Sequence, residues 1–311
     1  MSESYSNEPE KAISFLSDIS PKAKVYDTKK ATAVLVEAIY DEEREFSKLS
    51  RRMSECGHSL GFAQLVSKDT GELSYKLKTA RFCHVRLCPL CSYLKMKRKQ
   101  EEFLAALPNL LHGYSTHRFL LLGLTVPCCK AIDLKATISE MNRGWKRLTD
   151  RKEFSKVDGW VKSTEITHSK SLRGDSHPHF HILLMVKPSY FTHGYVKHIQ
   201  WLNAWQECMR DHTITQVDIQ AIRGITGIKE VLKYSLKDTD IIKGPRSWFF
   251  EMTRQIRGLR FIAAGGLIKD MLKMQQDKVQ EAEAEAEAED EPVKLVGTWT
   301  PAKSRYRADW S

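Results

Sequence analysis

Long apolar runs are missing from this sequence of 311 residues. No stretch approaches the roughly 18 residues needed to cross a bilayer, and no basic-then-apolar leader opens the chain. No membrane partner is expected, and the chain is read as intracellular with its cysteines reduced. No internal repeat is visible, which excludes a solenoid. Negative charge is also scarce outside one place: the tail "EAEAEAEAEDEP" (281–292) packs seven carboxylates into a segment that a folded domain would not bury. The formal charge of +10 therefore understates the rest of the chain, which carries +17 without those seven carboxylates. Such a balance favours a polyanionic partner, most often nucleic acid, through phosphate neutralisation and counterion release. With 41% hydrophobic content the chain can bury a real core, enough for one large domain and a smaller one.

The seven cysteines are unevenly placed. Residues 83–91 read "CHVRLCPLC", and Cys56 lies upstream in "ECGHSLGF". Cys56, Cys83, Cys88 and Cys91 can close a tetrahedral site, and zinc is the metal that such a site suits. Between the halves, "SLGFAQLVS" and "ELSYKLKTARF" alternate like two strands around "SKDTGE", which would bring Cys56 to the cluster. Buried structural thiols, or His58 or His84 in place of one cysteine, are the alternatives. Cys128, Cys129 and Cys208 lack partners at useful spacing and read as core residues.

Periodicity supplies the frame. Residues 1–28 look loose, and "KKATAVLVEAIYDEEREFSKLSRRM" has helical period. After Cys91, "SYLKMKRKQEEFLAALPNLL" reads as a basic helix ended near Pro108. "HRFLLLGLTV" (117–126) is a buried strand, "DLKATISEMNRGWKRLTDR" a helix, and "GWVKSTEITH" a half-buried strand. "HPHFHILLMV" is its hairpin partner across "SKSLRGDS". A helix at "KHIQWLNAWQECMR", a strand at "TQVDIQAI" and a helix at "GIKEVLKYSLKD" follow. This order predicts an α+β fold, an antiparallel sheet with flanking helices, preceded by an N-terminal zinc-binding module. The expected division is 1–28 loose, 29–110 helix and zinc-binding DNA-binding module, 115–265 main domain, and 266–311 a C-terminal region with the acidic tail.

In "HPHFHILLM" (177–185), side chains of an extended strand alternate faces, so His177, His179 and His181 point one way while Phe180, Ile182 and Leu184 point the other. Glu165 stands 14 positions before His179, a distance that a hairpin can fold into direct opposition. Two imidazoles and a carboxylate with open positions left over suit a catalytic divalent metal. A satisfied core histidine is the simpler alternative for either residue alone. His177 precedes Pro178 and reads as an outer neighbour or a solvated residue.

His-Phe-His on a strand, preceded by "FLLLGLTV" and followed by Tyr234 in "KYSLK", resembles the HUH endonuclease superfamily, in which U is a hydrophobic residue. The group most similar is the rolling-circle plasmid replication initiators. The motifs occur in that family's order over roughly residues 115–240, and its cysteine-rich N-terminal segment resembles 56–91. The resemblance implies an HUH-type fold, Mg2+ or Mn2+ held by His179, His181 and Glu165, and a single-strand nick at a plasmid origin. It also implies covalent attachment of the DNA 5′ end to Tyr234, with rejoining or release of DNA at termination. Single- and double-stranded origin DNA, a host helicase and a polymerase are the implied partners, in bacterial cytoplasm. On a helix drawn at about 100° per residue, Ile228, Val231, Leu232, Ser235 and Leu236 form one stripe, and Glu230, Tyr234 and Lys237 cluster opposite. Lys237 is placed to favour phenolate. A glutamate at the spacing of Glu230 implies water activation for the terminating cleavage. A zinc-containing regulator without catalysis, a metal-dependent hydrolase, and an HUH transposase or relaxase are the competing readings.

Overall fold

In a computed structural model of the chain, the structure describes residues 14–66, 70–172, 174–222, 231, 238–285 and 292–310. The chain folds into two compact units, Met1–Tyr93 with Ala288–Ser311, and Leu94–Glu287. Both are built from antiparallel sheet and helices, the α+β class that the element order predicts. No helix among the described residues is long and apolar enough to cross a membrane.

The first unit opens with α1 (Leu16–Ile19), α2 (Lys24–Asp41) and α3 (Ser47–Ser54). Residues 14–28, expected to be loose, are structured instead: Leu16 is buried, and the Ser14 carbonyl accepts the Ala308 amide at 2.9 Å. The single helix read over 29–53 is two helices. Phe46 is buried against Tyr40, ring centroids 5.5 Å apart, and the chain must turn at Arg44–Phe46 to bring them together. The hairpin read from the sequence is present as β1 (Ser59–Val66) and β2 (Leu73–Ala80). Two further strands, β8 (Val293–Thr300) and β9 (Arg305–Trp310), come from the far end of the chain, and β8 pairs with β1 to give a sheet of order β2-β1-β8-β9. The region 266–311 is therefore not one C-terminal region. Its last strands complete the first unit, because Leu295, Trp299 and Tyr306 bury there.

The strands of the second unit are β3 (Arg118–Thr125), β4 (Val157–Ser171), β5 (Gly174–Val186), β6 (Val217–Ile222) and β7 (Ile262–Gly265). They form a sheet of order β6-β3-β5-β4-β7. Strand β5 is central and buries residues on both faces. Phe180, Ile182, Leu184 and Val186 enter a core with Trp145, Leu148, Trp201 and Trp205 of α5 (Leu134–Thr149) and α6 (His198–Met209). Leu183 and Met185 face the other way, into a core with Phe103, Ala106, Leu107, Leu110, Val231 and Ile268. Each such side chain contributes about 1.5–3 kcal/mol of burial.

The helix α4 (Pro89–Gly113) does not end at Pro108, which lies inside it. Proline lacks the amide for one helical hydrogen bond, but Leu107 and Leu110 on either side of it are buried in the sheet-facing core. Packing carries the helix through. The helix Gly266–Glu285 likewise extends the second unit beyond the expected boundary at 265, since Ile268 and Met271 bury in the same core. Residues 223–230 and 232–237, which hold Glu230, Tyr234 and Lys237, lie outside the described residues.

Candidate functional site

Two groups of metal-ligating side chains form among the described residues, each with its ligand atoms within 4.8 Å of one another. One is Cys56, Cys83, Cys88 and Cys91; the other is Glu165, His179 and His181.

The cysteine group belongs to the first unit. Cys56 follows α3, Cys83 follows β2, and Cys88 and Cys91 lie at the start of α4. Gly57 adopts φ +58, and a Cβ there would stand 2.4 Å from the Leu90 side chain, so glycine lets the chain pass close to the knuckle without displacing that side chain. The Cys56 sulfur lies 3.7 Å from that of Cys88 and 3.5 Å from that of Cys91, and Cys83 lies 3.6 Å from Cys91. A disulfide needs sulfurs about 2.05 Å apart, and all four thiols are free. Four sulfurs at about 2.3 Å from one tetrahedral ion stand about 3.8 Å apart, which the observed spacings fit. His58 and His84 are exposed and outside the group.

Charge supports the same fit. Hydrogen bonding to Cys56 drives the Cys91 thiol well below its usual range, and the same kind of interaction pushes Cys88 up. Lys30 is 2% exposed, and its ammonium donates to the Cys56 carbonyl at 2.7 Å. Burial lowers its pKa, and negative charge on Cys56 and Cys88 pulls it back up. A buried ammonium needs an anionic neighbour, which ionised thiolates supply. The sequence reading missed Lys30, although a signal was present: with Tyr26, Ala33 and Tyr40 it lies in the buried stripe of α2, where a cation is out of place. Tyr306 of β9 was also missed; its hydroxyl donates to the Gly57 carbonyl at 2.6 Å, and its backbone amide donates to Asp27 at 2.9 Å.

The second group is set by strand register. In the β4–β5 hairpin, Glu165 pairs with His179, Ser163 with His181 and Thr167 with His177. Glu165 is thus opposite His179, the opposition that the 14-residue spacing allows in a hairpin. One carboxylate oxygen of Glu165 lies 3.0 Å from Nε2 of His179 and 2.7 Å from Nε2 of His181. Neighbouring donors of an octahedral ion at about 2.1 Å stand about 3.0 Å apart, and both carboxylate–imidazole spacings fit that value. Nδ1 of His179 lies 3.3 Å from the His177 carbonyl. A proton on Nδ1, donated there, would leave the Nε2 lone pair to a metal; without the ion, Nε2–H donates to Glu165 instead. His177 contributes this carbonyl and lies outside the ligand group; burial lowers its imidazole pKa. Burial tends to raise the Glu165 carboxyl, but hydrogen bonds from His179 and His181 outweigh it and hold the group below the usual carboxylate range.

The histidine face of β5 continues into Leu183 and Met185, whose core includes Val231. Val231 is fully buried and is the one described residue of the segment 223–237.

A family described as "Replication protein" matches residues 74–307, well over half of the chain. The chain belongs to the replication-protein family. A Rep protein of Lentilactobacillus hilgardii is 31% identical over 83% of this chain and 87% of its own length. One from Bacillus amyloliquefaciens is 29% identical over 97% of this chain and 99% of its own length. One from Staphylococcus aureus is 34% identical over 58% of this chain and 80% of its own length. These matches support the sequence-based reading of the chain as a plasmid replication initiator. No solved structure matches the chain.

Proposed function

We propose that this protein nicks one strand of its plasmid origin and becomes joined to the DNA 5′ end through Tyr234. The observation that carries the reading is the convergence of Glu165, His179 and His181 on one face of the β4–β5 hairpin, inside the span matched by the replication-protein family. Their donor set suits Mg2+ or Mn2+. When bound, the ion supplies Lewis acidity toward a non-bridging phosphate oxygen.

The protein's own groups do the rest. Tyr234 lies three residues after Val231, which is buried on the histidine face of the sheet, so the chain passes close to that face just before the tyrosine. A phenol with a pKa of about 10 is a weak nucleophile at neutral pH, and Lys237 is assigned to favour its ionised form. The tyrosine oxygen attacks phosphorus, the bond to the 3′ oxygen breaks, and the phenolic proton ends on the released 3′ hydroxyl. The phosphotyrosine ester keeps the bond energy for strand joining. Glu230 is assigned as the base that activates water for hydrolytic release. The fold read for this unit is of HUH type, and the cysteine group is read as a structural Zn2+ site.

Incubation with supercoiled origin plasmid and mapping of any adduct tests the proposal. Tyr234→Phe and His179→Ala are each expected to bind origin DNA and to yield neither nick nor adduct, a loss of at least about a thousandfold for removal of a nucleophile. Glu230→Ala is expected to form the adduct and to release it poorly. An adduct on another tyrosine, or full nicking by His179→Ala, overturns the assignment.

A further inference from the structure

Beside the cysteine group, within the first unit, a cleft of about 420 Å³ is lined by Arg51, Arg52, Arg81, His84 and Phe82 together with Glu55. We infer that this arginine cleft grips the phosphate backbone of duplex DNA, so that the metal module serves as a phosphate clamp and not only as a fold staple. The inference rests on the replication-protein reading for the identity of the polyanion. The cleft itself is argued from its own geometry.

Three guanidinium groups converge from two elements: Arg51 and Arg52 stand in the last turn of α3, and Arg81 follows the end of β2. All three residues are exposed. Arg52 donates to the carbonyl of Cys83, so its position is fixed by the same knuckle that carries the sulfur. The Arg51 guanidinium makes no hydrogen bond or ion pair with any described residue. Arg81 pairs with Glu55, but their side chains are 81% and 60% exposed, and an ion pair so open to water yields readily to a phosphate. On the strand that leads to Arg81, Lys76 and Lys78 are exposed as well. Guanidinium forks match phosphate oxygens in pairs. Interactions of this kind position a protein on a duplex without reading its sequence. The cleft is open and lined largely by charged side chains, with no enclosed apolar cavity to hold a small molecule.

The test measures binding of the full chain, with its metal, to a short fluorescent duplex of arbitrary sequence across about 50–200 mM salt. Arg51→Ala with Arg81→Ala is expected to weaken binding and to flatten the plot of log affinity against log salt by about 0.9 for each phosphate no longer neutralised. A control pair, Lys135→Ala with Lys303→Ala, removes two exposed cations elsewhere and is expected to keep the wild-type slope. Should the arginine pair lose its metal, Arg51→Ala alone removes a guanidinium with no structural partner and is still expected to flatten the slope by one phosphate's share. An unchanged slope, an equal loss in the control pair, or a loss confined to single-stranded DNA overturns the inference. Nicking is read separately: failure of Tyr234→Phe to abolish it refutes the tyrosine assignment and leaves this slope as predicted.

Discussion

Lys30 shows what one residue reveals about the charge state of its neighbours. An ammonium that is 2% exposed and bound to the Cys56 carbonyl is costly beside neutral thiols and favourable beside thiolates. The two cases predict opposite signs for Lys30→Met. With a metal-bound tetrathiolate, the variant is expected to lose zinc to a chelator faster and to lose about 1.5–3 kcal/mol of stability, the size of a hydrogen-bonded charge. With neutral thiols only Glu37 is left to compensate the buried ammonium, and the variant would gain stability. Denaturant midpoints, measured beside zinc retention, separate the outcomes.

At the scale of the element, β4 divides its side chains between two unlike environments. Val161 and Glu165 lie on the face with the histidines, while Lys162, between them, enters the aromatic core on the other side. Lys162 is 4% exposed, donates to the Asn142 side-chain oxygen, and stands 3.7 Å above the Phe180 ring. Burial pushes its pKa down to about 7. The unfolded chain keeps this proton up to about pH 10.4, whereas the folded chain releases it near pH 7, so stability rises with pH between those values. Below pH 7 the full burden of the buried charge is present. Lys162→Met is therefore expected to stabilise the protein at pH 6, by on the order of a few kcal/mol before the cation–ring attraction to Phe180 is subtracted, with the gain shrinking toward pH 10. Urea unfolding at the two pH values checks it; a gain independent of pH would contradict the buried-cation account.

For the whole molecule, the first unit joins chain segments from both ends. β8 pairs with β1, Tyr306 holds the Gly57 carbonyl beside Cys56, and Arg305 donates to Ser17 and pairs with Asp18. Removal of residues 292–311 is accordingly expected to abolish the cysteine site although every cysteine remains. Metal analysis should fall from about one zinc equivalent assigned to this site toward none. Retention of the zinc would show that the knuckle folds without its C-terminal strands.

By itself the sequence determined what local period and spacing can encode. The alternation of His177, His179 and His181 assigned them to one face, and the 14-residue interval allowed the opposition of Glu165 and His179 that the hairpin register then realises. The cysteine spacing, with one intervening hairpin, marked the second site in the same way. What only the tertiary structure decided is what depends on distant burial. No local signal tells β8 and β9 to complete a sheet begun more than two hundred residues earlier, because sheet pairing is stabilised between segments and not within them. Pro108 breaks a helix by its own chemistry, yet Leu107 and Leu110 bury on either side and keep it whole. The sequence marks Lys30 only as a cation set in an apolar helix stripe; its bond to the Cys56 carbonyl exists only once the fold closes Cys56 over it.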